Sequence, residues 1–424
     1  MKKFNIIIAL LISFSVMPKI TYADTVMPSY TIMAVSTNQQ FESNTPNKKS
    51  DLGELIYGML GLVVNDKFKR NEQIEIPKIE RPSGVSSNMI AGEKFTVDDI
   101  LRVMFVGSSD EGALILANLL GGQGEAVKLM NEKAKQLGLK DTSFGTVLSK
   151  KDAITYSSPA DMAILYKQIF NTPRIYDMMM EKTFLLPETT KAKQRTYRTN
   201  NYLIDNYLFT SYYNSNAIAG RTGYVSGGAC NMVAFAKIDG VRVIIVSMGS
   251  QKTSALLPNL EFAKNKIKSM TKDYQKESIF KAGEILTDYA VKSGKGTSKV
   301  LAVSPNGINI LIPKGSAFTY DKKIVPLKES FTAPIAKGQK LANMIVSSNG
   351  KKVLTMDLVA ESEVKVSLIG KFMSSIVFKL IIILLVLWLY WKICIQIPKR
   401  KRRKEILKRR KESQEWLEAN KGLY

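Results

Sequence analysis

The chain has 424 residues, with 61 Lys+Arg against 37 Asp+Glu for a formal net charge of +24, no histidine and two cysteines. That length allows two or three domains with real cores. The lack of His excludes His-based triads and imidazole acid–base chemistry, and Cys230 and Cys394 are too few for a disulfide framework or a Cys-rich zinc site. The positive excess points to nucleic acid, an anionic membrane surface or an anionic polymer such as cell wall.

Residues 1–23 read as a secretory signal, with Lys2 and Lys3 before the apolar run Ile6–Met17 and the small-residue site Thr21-Tyr22-Ala23. An uncleaved anchor is the alternative, and either places the bulk of the chain outside the cytoplasm. Residues 98–120 carry a helical apolar period broken at 107–110 by Gly-Ser-Ser-Asp, so a turn separates two helices. Residues 123–139 form an amphipathic helix with Val127, Met130, Ala134 and Leu137 on one face and Gly138 as its stop. Ser158-Pro159 caps and opens a helix over 158–170. Between 217 and 249 the texture turns to strands, with Val233–Ala236 and Val241–Met248 flanking an Asp239-Gly240 hairpin turn. A helix over 256–273 closes the first domain.

Beyond about 275, short strands at 299–304, 308–312, 316–320, 323–328, 341–346 and 353–359 are punctuated by Pro-Asn-Gly, Pro-Lys-Gly, Lys-Gly and Asn-Gly, which predicts a small all-β module. Leu380–Trp391 is an unbroken apolar run. Extended to 372–397 it is long enough to cross a bilayer, with Lys379 and Lys392 able to snorkel. Lys399–Lys411 then holds ten cations in thirteen residues. By the positive-inside rule the order is signal, outside domain, span and inside tail, a topology that explains the charges without nucleic acid. An amphipathic helix lying on the membrane is the alternative.

Three segments together carry a resemblance: Val127–Phe144 (VKLMNEKAKQLGLKDTSF), Gly220-Arg221-Thr222-Gly223-Tyr224 with the hairpin that follows, and Ala333–Gly338 with Asn349-Gly350-Lys351 and Leu358-Val359-Ala360. In this order they resemble the low-molecular-mass penicillin-binding proteins, the serine-type D-alanyl-D-alanine carboxypeptidases, across roughly residues 30–364. The resemblance implies an α+β fold of the β-lactamase/DD-peptidase kind, an antiparallel sheet with helices on its faces, over residues 24–274. An all-β C-terminal domain (275–366), a transmembrane anchor (372–397) and a basic cytoplasmic tail (398–424) follow. It also implies catalysis by S-x-x-K, S-x-N and K-T-G, acting on the D-Ala-D-Ala end of peptidoglycan stem peptides without a metal or cofactor.

Each motif departs from that pattern. K-T-G reads Arg221-Thr222-Gly223, keeping a cation that can fork a carboxylate, with Tyr224 beyond it as a further substrate-binding position. S-x-N reads Ser108-Ser109-Asp110. At S-x-x-K the best register puts Asp51 and Glu54 where the nucleophilic Ser and its Lys belong, and a one-residue slip offers Ser50 and Gly53. In neither register does a Lys follow a Ser by three. The changes make the cleft about four charges more negative than the family pattern: −1 for Ser→Asp, −2 for Lys→Glu and −1 for Asn→Asp.

Asp51 and Glu54 are therefore expected to close the pocket through a salt bridge with Arg221, or to serve simply as acidic residues of a helix first turn. The favoured expectation is a non-catalytic family member that binds peptidoglycan stem peptides, wall polymers or another wall enzyme and sits in the lipid bilayer. An active carboxypeptidase using Ser50 or Ser108 is the alternative. A weaker one makes Asp51, Glu54 and Asp110 a site for a divalent cation or an amine.

Overall fold

The computed structural model describes residues 28–419 except 81, 83–86, 151–152, 226–228, 252–256, 317, 349, 369–371 and 373–374. The segment read as a signal, 1–23, lies outside the described residues. The chain forms two compact units: residues through Glu277 with Asn309–Phe318, and Ser278–Ile308 with Thr319–Tyr424.

The first unit is built on a five-stranded antiparallel sheet. Its strands are β1 (Ser29–Ala34), β2 (Gln40–Asn44), β7 (Ala217–Tyr224), β8 (Ala229–Ile238) and β9 (Val241–Gln251), in the order β2-β1-β9-β8-β7. Successive side chains of a strand point to opposite faces, and here both faces are apolar. Val233 and Phe235 of β8, with Ile244 and Val246 of β9, join one core with helices α1 (Ile56–Lys67), α2 (Val97–Val106) and α5 (Pro159–Phe170). Met232, Ala234, Val243 and Ile245 face the other, beneath α7 (Pro258–Asp273). Burial on both faces explains why β8 and β9 read as near-continuous apolar runs. Asp239 and Gly240, at φ +41° and +83°, make the tight turn joining them.

The helices fall where capping chemistry predicts. Thr96 opens α2 in a reciprocal box with Asp99, and the Ser158 hydroxyl accepts from the Asp161 amide at the head of α5. The break at 107–110 separates α2 from α3 (Asp110–Leu119), and α4 spans Gln123–Gln136.

The second unit holds a six-stranded sheet: β11 (Ile285–Lys292), β12 (Lys299–Val303), β14 (Asp321–Pro326), β15 (Ser330–Thr332), β16 (Lys340–Ser348) and β17 (Lys351–Ala360), in the order β14-β16-β17-β12-β11-β15. Two expectations need correction here. The described residues between 316 and 320 form no strand, whereas β10 (Tyr274–Phe280) and β11 are strands that the apolar pattern did not reveal. Residues 309–318 cluster with the first unit. There the Gln39 side-chain amide donates to the Leu311 carbonyl (2.7 Å) and its oxygen accepts from the Leu311 amide (3.1 Å). Leu311 accordingly joins the core beneath α7.

Helix runs from Ile376 to Glu418 and is apolar enough at its start to cross a membrane. Ser375 caps it, and a wider π turn over Trp391–Gln396 precedes Pro398. A proline ring clashes with the carbonyl four residues earlier and lacks an amide, which accounts for the widened turn.

Phe235 is fully buried against Phe170 and Tyr176, with centroids 6.1 and 5.2 Å away. Phe235→Ala should cost about 3–5 kcal/mol in the first unit's unfolding transition, read by denaturant titration. A loss below about 1 kcal/mol would contradict this packing.

Candidate active site

The three motif segments meet at the edge strand β7. The first, Asp51–Leu55, does not open as a helix. Leu52 is right-handed, but Gly53 turns left-handed at φ +54°, a short 3-10 turn spans Gly53–Leu55, and the α-helix begins only at Ile56. A Cβ at Gly53 would lie 2.6 Å from the Tyr224 carbonyl oxygen, so the turn packs directly on the strand backbone and only glycine fits. Gly223 is its counterpart, since a Cβ there would lie 2.6 Å from both the Leu52 carbonyl and Leu55 Cγ. Asn231 fastens the turn to the sheet. Its amide donates to the Asp51 and Leu52 carbonyls (2.7 and 3.1 Å), and its oxygen accepts from the Gly249 amide (2.9 Å).

Arg221 links all three segments. It is 3% exposed and lies between the rings of Tyr57 and Phe105, at 4.8 and 5.6 Å from their centroids. Its Nε donates to the Glu54 carbonyl (2.9 Å), Nη1 to the Phe105 carbonyl, and Nη2 to the Ser108 hydroxyl (3.2 Å) and the Met104 carbonyl (3.5 Å). The expected ion pair with Asp51 or Glu54 does not form. Backbone carbonyls at the end of α2 and at the first turn engage the guanidinium, because β7 directs it inward. The fork expected for a ligand's carboxylate is thus turned into the protein.

Glu54 is also inside, 6% exposed, with Oε2 accepting from the Asn200 amide (2.9 Å). Burial raises its pKa. The Arg221 charge and the Asn200 amide oppose that shift, while the Asp110 carboxylate reinforces it. The Thr222 hydroxyl lies beside the same carboxyl and favours its charged form, yet it is buried without a hydrogen bond of good geometry.

Asp110 faces a different set of partners. It accepts from the Tyr57 hydroxyl (2.6 Å) and from the Ser149 amide and hydroxyl (2.8 and 2.9 Å). Ser109 caps α3 through the Gly112 amide, and Ser108 is held at φ +52°. Ser50 pairs its backbone with Ser157, while Lys49 lies over the Tyr156 ring, 4.5 Å from its centroid. Asp51 is half-buried, with no side-chain partner among the described residues. Among those residues no three carboxylates or thiols converge as a metal-binding group. The weaker cation-site reading therefore finds no geometry here.

The structure thus gathers Glu54, Ser108, Arg221 and Thr222, and turns Asp110 toward Tyr57 and Ser149. It adds Asn200, Asn231, Tyr57 and Phe105, which sequence reasoning missed. Their signal is three-dimensional: the asparagines lie some 150–180 positions from the carbonyls and carboxyl they bond.

Residues 29–252 match the family described as D-alanyl-D-alanine carboxypeptidase, and residues 274–366 match the penicillin-binding protein 5 C-terminal domain. The D-alanyl-D-alanine carboxypeptidase DacF of Bacillus subtilis is 27% identical over 305 residues, 70% of this chain and 74% of its own. The D-alanyl-D-alanine carboxypeptidase DacC of Escherichia coli is 25% identical over 354 residues, 80% of this chain and 84% of its own. Among solved structures, penicillin-binding protein 5 from Haemophilus influenzae superimposes with a TM-score of 0.63 at 21% identity, covering 82% of this chain and 99% of that one. A peptidoglycan synthesis regulatory factor (PBP3) from Streptococcus pneumoniae gives 0.67 at 15% identity, over 80% and 100%. The likenesses to solved structures are likenesses of fold.

The raised pKa of Glu54 makes stability depend on pH. Its contribution is intact below the ordinary glutamate value of about 4.3 and is lost as pH climbs through the higher folded value. Glu54→Gln is neutral throughout, so its melting temperature should gain on the parent's as pH rises from about 4 to 8. A difference that stays flat, or shrinks, across that range would contradict the assignment.

Proposed function

Because the chain belongs to the D-alanyl-D-alanine carboxypeptidase family, we propose that it is a membrane-anchored, wall-facing member that has lost peptidase chemistry and binds peptidoglycan stem peptides or a wall-synthesis partner. The hydrogen bond from Arg221 to Ser108 carries this reading. A serine nucleophile needs a neighbour that takes its proton. A guanidinium only donates and stays protonated at every accessible pH, so it cannot be that neighbour.

The position of the family's lysine holds a buried carboxyl, and the position of its serine holds a carboxylate on a turn that is not helical. Ser50 has Lys49 beside it in sequence, but that amine lies over Tyr156. Among the described residues no lysine side chain hydrogen-bonds to Ser50 or Ser108, and the charged donor on Ser108 is Arg221. The apolar helix beginning at Ile376 is the proposed span, and Lys399–Lys411 is its cytoplasmic flank.

Incubation of the full chain with a pentapeptide ending in D-Ala-D-Ala should release no D-alanine. The double substitution Asp51→Ser/Glu54→Lys should not restore release, because Gly53 keeps the two positions off a common helical face. Turnover by the parent that disappears in Ser50→Ala or Ser108→Ala would overturn the proposal and favour an active enzyme with an atypical site.

A further inference from the structure

The helix that begins at Ile376 carries its charges in a definite axial order. Apolar side chains predominate as far as Ile397, with Lys379 and Lys392 as the cations among them. At 1.5 Å per residue, Ile376–Ile397 is about 33 Å long, close to the thickness of a hydrocarbon core. Pro398 follows, and then come Lys399, Arg400, Lys401, Arg402, Arg403 and Lys404, all helical and all exposed.

Each residue of a helix is turned about 100° from the last, so consecutive cations point to every side of the axis. Lys399–Lys404 therefore form a collar about 8 Å tall and not a stripe along one face. Lys408–Lys411 make a second ring, centred about 12 Å further along the axis. Acids offset that second ring: Lys408 pairs with Glu412 at 3.8 Å, and Arg409 with Glu405 at 3.9 Å. Glu415 and Glu418 lie further out still. Charge is thus polarised along the helix, with cations next to the apolar segment and acids at the far end.

We propose that the collar Lys399–Lys404 binds the headgroups of anionic phospholipids, a site that rests on the reading of the apolar helix as a membrane span. Two features of its geometry select lipid. Lipids surround a single span on every side, as a collar requires, whereas a helix lying flat on a membrane presents one charged face. The axial order fits as well. The potential of an anionic surface fades over a Debye length, about 8 Å at physiological salt, so it acts on the first ring and little on the second. The distal acids stand where that surface repels them least. A nucleic acid offers no such plane to sort cations from acids along the axis. Guanidinium and ammonium groups both donate charge-assisted hydrogen bonds to phosphate oxygens.

The three tryptophans of the chain, Trp388, Trp391 and Trp416, all lie on this helix, so the intrinsic fluorescence of the full chain reads it alone. The full chain is reconstituted into vesicles of equal parts phosphatidylglycerol and phosphatidylcholine, with the acyl chains of one lipid or the other brominated to quench nearby tryptophan. The two leaflets are identical, so the direction of insertion does not matter. Quenching should show phosphatidylglycerol enriched at least about threefold around the helix. The sixfold variant Lys399→Gln/Arg400→Gln/Lys401→Gln/Arg402→Gln/Arg403→Gln/Lys404→Gln should show no enrichment. Lys408→Gln/Arg409→Gln/Arg410→Gln/Lys411→Gln should keep most of it. Salt at about 1 M, where the screening length is about 3 Å, should abolish it in the parent.

Equal quenching of the parent by the two lipids overturns the proposal and leaves the span intact. Quenching by neither means that the helix does not insert, and span and collar fall together. Enrichment that persists in the sixfold variant, or is lost equally in both variants, also overturns the proposal, because the collar would not be the site. Binding of a short DNA duplex without any lipid preference would assign the cations to nucleic acid instead. Should the sixfold variant fail to insert, the parent decides: enrichment unmoved by 1 M salt contradicts an electrostatic collar.

Discussion

One buried guanidinium organises the cleft. Arg221 crosses from β7 to the first turn, to the end of α2 and to Ser108, so the three segments that would carry chemistry are tied through a single side chain. Hydrogen bonds from a charged donor contribute roughly 1.5–3 kcal/mol each, and several converge here. Tyr57 and Phe105 flank the cation and shield it from water. A group that the family's pattern would place to greet a ligand has become internal structure.

Charge follows the same logic. The +24 of the whole chain divides unevenly: Lys392–Tyr424 holds 12 cations and 4 acids, the first 23 residues add +3, and +13 remains between them. At the cleft the balance reverses, with Glu54 and Asp110 buried near Arg221. Burial keeps Glu54 toward its neutral form, which lessens the mismatch of two acids and one cation.

Periodicity made the helices and the central hairpin legible, because both faces of the sheet are buried and the caps at Thr96 and Ser158 are local devices. Candidate motif positions could be proposed from the resemblance, at Asp51 and Glu54 or Ser50, at Ser108 and at Arg221. What each side chain does there could not be read from it. The resemblance suggested an Arg221 ion pair with carboxylates, whereas the partners are backbone carbonyls and the Ser108 hydroxyl, fixed by tertiary packing. The α-helix starts at Ile56, just beyond Asp51 and Glu54, and Gly53 before it adopts a left-handed turn packed against Tyr224. Strands β10 and β11 escaped notice for a simpler reason: they carry little apolar alternation.

The central proposal is that neither Ser50 nor Ser108 acts as a nucleophile. Intact-mass measurement of the full chain after prolonged incubation with benzylpenicillin tests it most directly. The account predicts an unmodified mass at every penicillin concentration. A stoichiometric adduct mapped to Ser50 or Ser108 would contradict it.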